Sequence, residues 1–302
     1  MKIAIVGLGK MGSQIAKKLH EDGHEVVAYD TDKDSVERMG VLGIIPAHTR
    51  AETVGAFKNE NLILWLMVPG GAVDKELEEW LKLAPKKSIF IDGGNSDFRL
   101  TKARAKLVHK NGSTLLDVGT SGGVWGYNKG FSLMAGGDKD TYNKIVPILE
   151  TLKKPLGAYQ YFGESGSGHY VKMVHNAIEY GMMESIAEGY RLLKEGPYRD
   201  LDLVAAGEVW QHRSVITSWL NELTVNALRD NKELQNIEGK VAESGEARFA
   251  LEVAKSLNIE LPAIQSAFDV RIESQKGKIN FATKLLSLMR NAFGGHKVNE
   301  SK

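Results

Sequence analysis

Ile3-Ala4-Ile5-Val6-Gly7-Leu8-Gly9-Lys10-Met11-Gly12 joins a short apolar run to a turn with three spaced glycines. An amphipathic stretch then runs to about Asp22. A G-x-G-x-x-G pattern alone says little, because glycine is common. Its setting here is informative: a strand-like run before it, a helix-like run after it, and a second strand-like run, Val26-Val27-Ala28-Tyr29, close behind. That order reads as the first βαβ unit of a dinucleotide-binding domain. Gly7 would permit the tight turn, Gly9 would let a pyrophosphate approach the backbone, and Gly12 would let the helix lie close to the strand. Gly7, Leu8, Gly9, Lys10, Met11 and Gly12 are thus the expected phosphate cradle, with unpaired N–H groups at the helix start facing the phosphates. A plain tight turn is the alternative.

Asp30 ends the second strand, near the offset expected for a ribose contact. A carboxylate there accepts hydrogen bonds from both ribose hydroxyls and repels a 2′-phosphate. Thr31 and Asp32 follow, with no arginine, so NAD is favoured over NADP; Lys33 is the nearby positive group. The alternative role for Asp30 is to cap the next helix.

Working outward, Leu62 to Val68 forms a central strand closed by Pro69-Gly70-Gly71. Ile89-Phe90-Ile91, Thr114-Leu115-Leu116-Asp117 and Phe131-Ser132-Leu133-Met134-Ala135 continue the series, and a helix follows from about Tyr142 to Leu152. Short apolar runs alternating with amphipathic stretches indicate an α/β, doubly wound domain with a parallel sheet. After Tyr159-Gln160-Tyr161-Phe162 the texture changes, and from Ser165 nearly everything has a helical period. The expected organisation is a Rossmann-type domain over residues 1–163 and an all-helical domain over residues 164–302, with residues 298–302 a frayed tail.

At 302 residues the chain suits two domains and can bury a core without disulfides or a structural metal. A net charge of +1 gives no whole-molecule signal for nucleic acid or an anionic membrane. The chain has no cysteine, which excludes thiolate metal sites and cysteine nucleophiles and fits a reducing compartment. The longest apolar run, Leu62 to Val68, is too short to span a bilayer, and no basic-then-apolar segment opens the chain. A cytoplasmic protein is expected.

The helical half opens with a chemically mixed face. Lys172, His175, Asn176, Glu179 and Tyr180 fall at i, i+3, i+4, i+7 and i+8, on one side of a helix. Val171, Met173, Val174, Ala177 and Ile178 fill the other positions, and Met182 and Met183 follow. Such a helix should be buried, its polar stripe lining a wet cleft. A solvated face is usually written with interchangeable Lys, Glu and Gln. An amine, an imidazole, an amide, a carboxylate and a phenol together suit a polyhydroxylated ligand and an acid/base pair. A metal site is not expected, because His169 and His175 lack i, i+4 spacing.

Three further segments fit a ligand but have plain structural alternatives. Asp92-Gly93-Gly94-Asn95-Ser96 follows a strand end, where Asn95 could reach cofactor and substrate; a turn with a helix cap would look the same. Ser121-Gly122-Gly123 could form a nest of N–H groups for a carboxylate, or a flexible loop. Arg290-Asn291-Ala292-Phe293-Gly294-Gly295-His296 offers an arginine suited to phosphate, or simply a capped last helix with Gly294 ending it.

Taken together, these segments resemble the decarboxylating 6-phosphogluconate dehydrogenases, and more closely their shorter-chain branch. The resemblance runs through Gly7 to Gly12, Val68-Pro69-Gly70, Asp92 to Ser96, Gly119-Thr120-Ser121-Gly122-Gly123, Leu133 to Gly137, Gly168 to Tyr180, and Arg290 to His296. It implies oxidative decarboxylation of 6-phosphogluconate to ribulose 5-phosphate, a step of pentose phosphate and gluconate metabolism, with NAD bound by the glycine turn, Asp30, Val68, Pro69 and Asn95. Lys172 would be the base, Asn176 would hold the reacting oxygen, and Glu179 would be the acid. Ser121, Gly122 and Gly123 would hold the carboxylate, and Asn95 and His175 the hydroxyls. Tyr180, Arg248, Arg271 and Arg290 would bind the phosphate, with His296 beside the sugar. In the family the last arginine and histidine come from the partner subunit, which implies an obligate homodimer; association into a tetramer is left open. The chain departs from the pattern at Phe249 and Ala250, where the branch carries tryptophan and threonine, so Ala250 supplies no hydroxyl to the phosphate. Another beta-hydroxyacid dehydrogenase, such as one acting on 3-hydroxyisobutyrate, is the nearest rival reading. It lacks the Asp-Gly-Gly-Asn-Ser segment, the His-Asn-x-x-Glu-Tyr extension and the terminal Arg-x-x-Phe-Gly-Gly-His. A non-catalytic dinucleotide-binding protein would not need Lys172, Asn176 and Glu179 together.

Overall fold

The computed structural model describes the whole chain except residues 59, 232, 244, 297 and 299–302. It falls into two compact units, residues 1–172 and 173–302.

The first unit runs β1 (Lys2–Val6), α1 (Lys10–Glu21), β2 (Glu25–Tyr29), α2 (Lys33–Val41), β3 (Ile45–Ala47), α3 (Arg50–Ala56), β4 (Ile63–Leu66), α4 (Val73–Leu81), β5 (Ile89–Asp92), α5 (Phe98–Lys110), β6 (Thr114–Ser121), α6 (Gly126–Lys129), β7 (Ser132–Gly137), α7 (Lys139–Lys153) and β8 (Ala158–Tyr161). The strands form one eight-stranded sheet in the order β3-β2-β1-β4-β5-β6-β7-β8. β4 and β5 are buried along their whole length, as strands covered by helices on both faces must be. Alternation along β1 sends Ile3 and Ile5 into one core with Ile15 and Leu19 of α1. Ala4 and Val6 go into the other core, with Leu77 and Trp80 of α4.

The sheet is not wholly parallel. β7 pairs antiparallel with β6, and β8 then pairs parallel with β7. The connection explains the reversal. Only residues 122–131 separate β6 from β7, holding a 3₁₀ turn and the single-turn α6. A parallel crossover needs a dozen or more residues, usually a full helix. α7 supplies that length between β7 and β8.

α8 (Ser167–Glu195) starts in the first unit and continues into the second, which adds α9 (Leu203–Gln211), α10 (Trp219–Asp230), α11 (Glu246–Ser256), α12 (Pro262–Gln275) and α13 (Phe281–Gly294). Met183, Ala187 and Tyr190 of α8 pack with Leu220 and Leu228 of α10 and Leu285, Leu286 and Met289 of α13. Gly295, in the left-handed conformation, caps α13 one residue beyond Gly294. Val298 packs partly against this core, and the rest of the expected frayed tail lies outside the described residues. Among the described residues no helix is long and apolar enough to cross a membrane.

Candidate active site

The glycine turn is shaped by close approach. Gly7 has φ +93°, and a Cβ there would sit 2.5 Å from the Met67 carbonyl oxygen. A Cβ on Gly12 would sit 1.9 Å from the Gly7 carbonyl oxygen, so the helix lies against the turn. At Gly9, by contrast, nothing stands within 4 Å. The start of α1 has no side-chain cap and no acidic residue in its first turn. Open backbone at Gly9 and uncapped N–H groups beside it fit a pyrophosphate.

Asp30 is tied to this turn. The Leu8 N–H donates to Asp30 Oδ2 at 2.5 Å, and the Asp32 N–H donates to Oδ1 at 2.9 Å. The N-cap of α2 is Asp32, which accepts from the Asp34 N–H, so Asp30 is not the helix cap. Its carboxylate is held one residue beyond the end of β2, and these residues together fit the adenosine half of a dinucleotide.

Two further loops leave the same edge of the sheet. A Cβ on Gly70 would lie 2.6 Å from the Asn95 carbonyl oxygen, and one on Gly94 would lie 2.8 Å from that of Val68. The Val68-Pro69-Gly70 and Gly93-Gly94-Asn95 segments therefore touch backbone to backbone. Arg104 of α5, buried, fastens them. It donates to Asp74 at 2.7 and 3.0 Å, to Asp92 at 3.4 Å and to the Gly70 carbonyl at 3.4 Å. The cap of α5 is Asp97, whose side chain accepts from the Arg99 N–H. After β6, Gly122 and Gly123 take φ +132° and +53° in succession, a conformation that favours glycine at both positions.

α8 enters this edge through a buried carboxylate. Asp117 of β6 accepts from the Gly166 N–H at 2.8 Å and the His169 N–H at 2.9 Å, occupying two of the donors that a helix start leaves open. The buried His169 ring lies 3.1 Å from the Asp92 carbonyl through Nε2 and 3.2 Å from the Thr101 hydroxyl through Nδ1. A carbonyl can only accept, so Nε2 donates to Asp92. Lys172 is buried, and a Cβ on Gly119 would fall 2.3 Å from its Cβ. The bare glycine is what allows the lysine stem to lie on β6.

Beyond Lys172 the polar face continues in the second unit. Asn176 is buried, and its Oδ1 lies 2.9 Å from Nδ1 of the half-buried His175. Glu179 is half-buried one turn further on. Tyr180 is buried, with the Arg271 guanidinium 3.3 Å from its ring centroid. Arg271 is 1% exposed, and burial pushes its pKa down to about 10. Burial also lowers that of Arg290, whose charge is within reach of Tyr180 and Glu179 of the same chain.

Not every expected residue joins this cluster. Arg248 is exposed and paired with Glu243, its guanidinium 5.8 Å from the Phe268 ring. His296 is exposed just past the α13 cap, where its carbonyl accepts from Asn291 at 2.7 Å. Burial also differs from the expectation for an apolar helix with a wet stripe. Lys172, Asn176 and Tyr180 are buried, whereas Val174, Ile178 and Met182 are 37%, 51% and 44% exposed. Those three stand at i, i+4 and i+8, so the chain leaves one apolar stripe of α8 uncovered. Asp117, His169 and Arg104 had no assigned role in the sequence. The available signal was a carboxylate inside the apolar run Leu115-Leu116-Asp117-Val118, which must find partners once buried. Among the described residues no group of three His, Asp or Glu side chains could hold a metal ion.

Residues 2–163 match the family described as the NAD binding domain of 6-phosphogluconate dehydrogenase, and residues 168–301 match that enzyme's C-terminal domain. The chain is 37% identical to the putative 6-phosphogluconate dehydrogenase YqeC of Bacillus subtilis, over 98% of each protein. It is 36% identical to the NAD(+)-dependent, decarboxylating 6-phosphogluconate dehydrogenase of Haloferax volcanii, over 99% of this chain and 98% of that one. Among solved structures, Plasmodium falciparum 6-phosphogluconate dehydrogenase superposes with a TM-score of 0.82 at 26% identity, covering 96% of this chain and 70% of its own. A 3-hydroxyisobutyrate dehydrogenase from Salmonella typhimurium reaches a TM-score of 0.78 at 18% identity over 95% of this chain and 99% of its own, which shows a shared fold. Matched in both halves and end to end with relatives of similar length, the chain belongs to the 6-phosphogluconate dehydrogenase family.

Proposed function

We propose that the protein oxidises 6-phosphogluconate at its third carbon and decarboxylates it, yielding ribulose 5-phosphate and carbon dioxide. The observation that carries this reading is a lysine, an asparagine and a glutamate on one face of a single helix, with the lysine anchored to the sheet edge that holds the glycine turn. NAD, when bound, supplies the hydride acceptor. The Lys172 amine takes the proton of the C3 hydroxyl as that carbon is oxidised, and Asn176 steadies the oxygen. With the ketone formed beta to the carboxylate, electrons from the breaking carbon–carbon bond flow into the ketone oxygen. Lys172 returns its proton there, giving the enediol; as Glu179 protonates the first carbon of the enediol, the neutral Lys172 amine takes up the proton of the neighbouring enediol oxygen and the product ketone forms. Ser121, Gly122 and Gly123 hold the carboxylate, Asn95 and His175 the hydroxyls, and Tyr180, Arg271 and Arg290 the phosphate. Arg248 would need to leave Glu243 to join them, and His296 would reach them from the partner subunit.

The test is absorbance at the NADH wavelength with folded protein, 6-phosphogluconate and each cofactor in turn. Turnover with NAD is expected; silence with both cofactors would remove the proposal. Asp30→Ser should raise KM for NAD by about 10- to 100-fold, the equivalent of losing a hydrogen bond to a charged group worth about 1.5–3 kcal/mol. KM for NADP should fall or hold, since the carboxylate that repels a 2′-phosphate is gone. Parallel KM measurements with the two cofactors check this, and an unchanged NAD/NADP ratio contradicts the ribose assignment.

The same reading makes the working form a homodimer in the cytoplasm. The uncovered Val174, Ile178 and Met182 stripe supports a second copy packing there, and the lack of cysteine suits a reducing compartment. Whether Arg290 serves its own site or its partner's is decided by refolding Lys172→Met together with Arg290→Ala. Recovered activity means the arginine crosses between subunits, and none means it acts within its own chain.

A further inference from the structure

The face of α8 that carries Tyr180 continues to Glu184, four residues on and therefore on the same side of the helix. Glu184 is 6% exposed, and its Oε2 has no hydrogen-bond partner. A buried carboxylate oxygen left unpaired is costly unless a charge nearby offsets it. Arg271 of α12 supplies that charge. Its guanidinium covers the Tyr180 ring, its Nη2 donates to Sδ of Met183 at 3.5 Å, and its Nε is also without a partner. Arg290 of α13 lies close enough for the two guanidiniums to repel one another. Two buried arginines, one of them with an unused Nε donor, are suited to an oxyanion, which can accept from both.

We propose that Glu184 is a displaceable counter-charge for this anion site. It balances Arg271 while the site is empty and takes up a proton when a doubly charged phosphate binds. This rests on the reading of Arg271 and Arg290 as the phosphate site, and it adds a residue that sets how strongly that site holds a dianion.

The groups facing Glu184 agree. Burial, the largest cause, and the Glu188 carboxylate on the same helix push its pKa up to about 7, against the pull of Arg271. Arg271 in turn faces Tyr180, Glu179, Glu184 and Arg290. Below about pH 7 Glu184 is neutral and the arginines act at full strength; above it, the carboxylate cancels part of their charge. An arriving dianion disfavours the ionised form further, so binding draws a proton from solvent to Glu184. Affinity then falls as pH rises, about tenfold for each unit by which the bound anion raises that pKa.

Sulfate is the suitable probe, because it stays doubly charged across the range and needs neither NAD nor turnover. Calorimetric titration of the full-length protein between pH 6 and 8.5 should show wild-type affinity falling about tenfold, with proton uptake near pH 7.5. Glu184→Gln should bind tightly throughout with a flatter profile; any slope common to both proteins belongs to other groups. If the variant keeps the wild-type slope, if the wild type shows no slope, or if sulfate does not bind, the proposal is overturned. Should Glu184→Gln not fold, Glu184→Met carries the same comparison. Sulfate results that hold while 6-phosphogluconate is not turned over would leave the counter-charge standing and remove the proposed reaction.

Discussion

Lys172→Met is expected to cut kcat by about a thousandfold while substrate affinity stays within a few-fold of wild type. Removing a positioned acid or base typically costs about 10²–10⁴ in rate. Here the amine would serve more than once, first taking the hydroxyl proton and then returning a proton to the ketone oxygen, so the effect should reach at least the middle of that range. Methionine has nearly the length and volume of the lysine stem, so the contact with Gly119 survives and the helix face is not rearranged. Single-turnover NADH formation reads the chemical step, and equilibrium titration of 6-phosphogluconate reads binding. Turnover within tenfold of wild type would mean that another group is the base. Equal loss of binding and rate would mean that Lys172 holds substrate without acting on it.

The pieces that repeat a local rule are the ones the sequence discloses. The turn from Gly7 to Gly12 has one packing solution between a strand and a helix, and the mixed face from Lys172 to Tyr180 follows from helical spacing alone. Features that depend on distant partners are not readable in the same way. The reversal of β7 is set by the length of the segment before it, and an apolar run reads alike in either direction. Asp117 looks like the end of a strand until the start of α8 arrives with two N–H groups to satisfy. Val174, Ile178 and Met182 share their periodicity with core positions, yet the folded chain leaves them uncovered. Glu184 belongs to the polar face by its spacing from Tyr180, but Met182 and Met183 between them make the face seem to have ended.

Asp117→Ala should be the most damaging substitution away from the reacting groups. It leaves the Gly166 and His169 N–H groups buried without an acceptor, at about 1–3 kcal/mol each. It also removes a negative charge from a helix N-terminus, where such a charge is favourable. Against a typical domain stability of about 5–15 kcal/mol, that is a large fraction. The first turns of α8 should open locally, and the damage should reach Lys172, which is one turn beyond His169. A shift of about 1 Å in a catalytic group can cost about 10²-fold in rate, so kcat should fall by that order even in protein that remains folded. Asp117→Asn should be intermediate. Its single amide oxygen can serve one of the two N–H groups, while its own NH₂ confronts the other. Hydrogen exchange at the Gly166 and His169 amides separates this account from a general loss of fold. Both amides should lose protection by a larger factor than those of β1 or β4, and the rate deficit should track that loss across the two variants. If exchange there stays slow in Asp117→Ala while kcat is unchanged, the carboxylate does not hold the helix, and the position of Lys172 must be set by Gly119 and His169 without it.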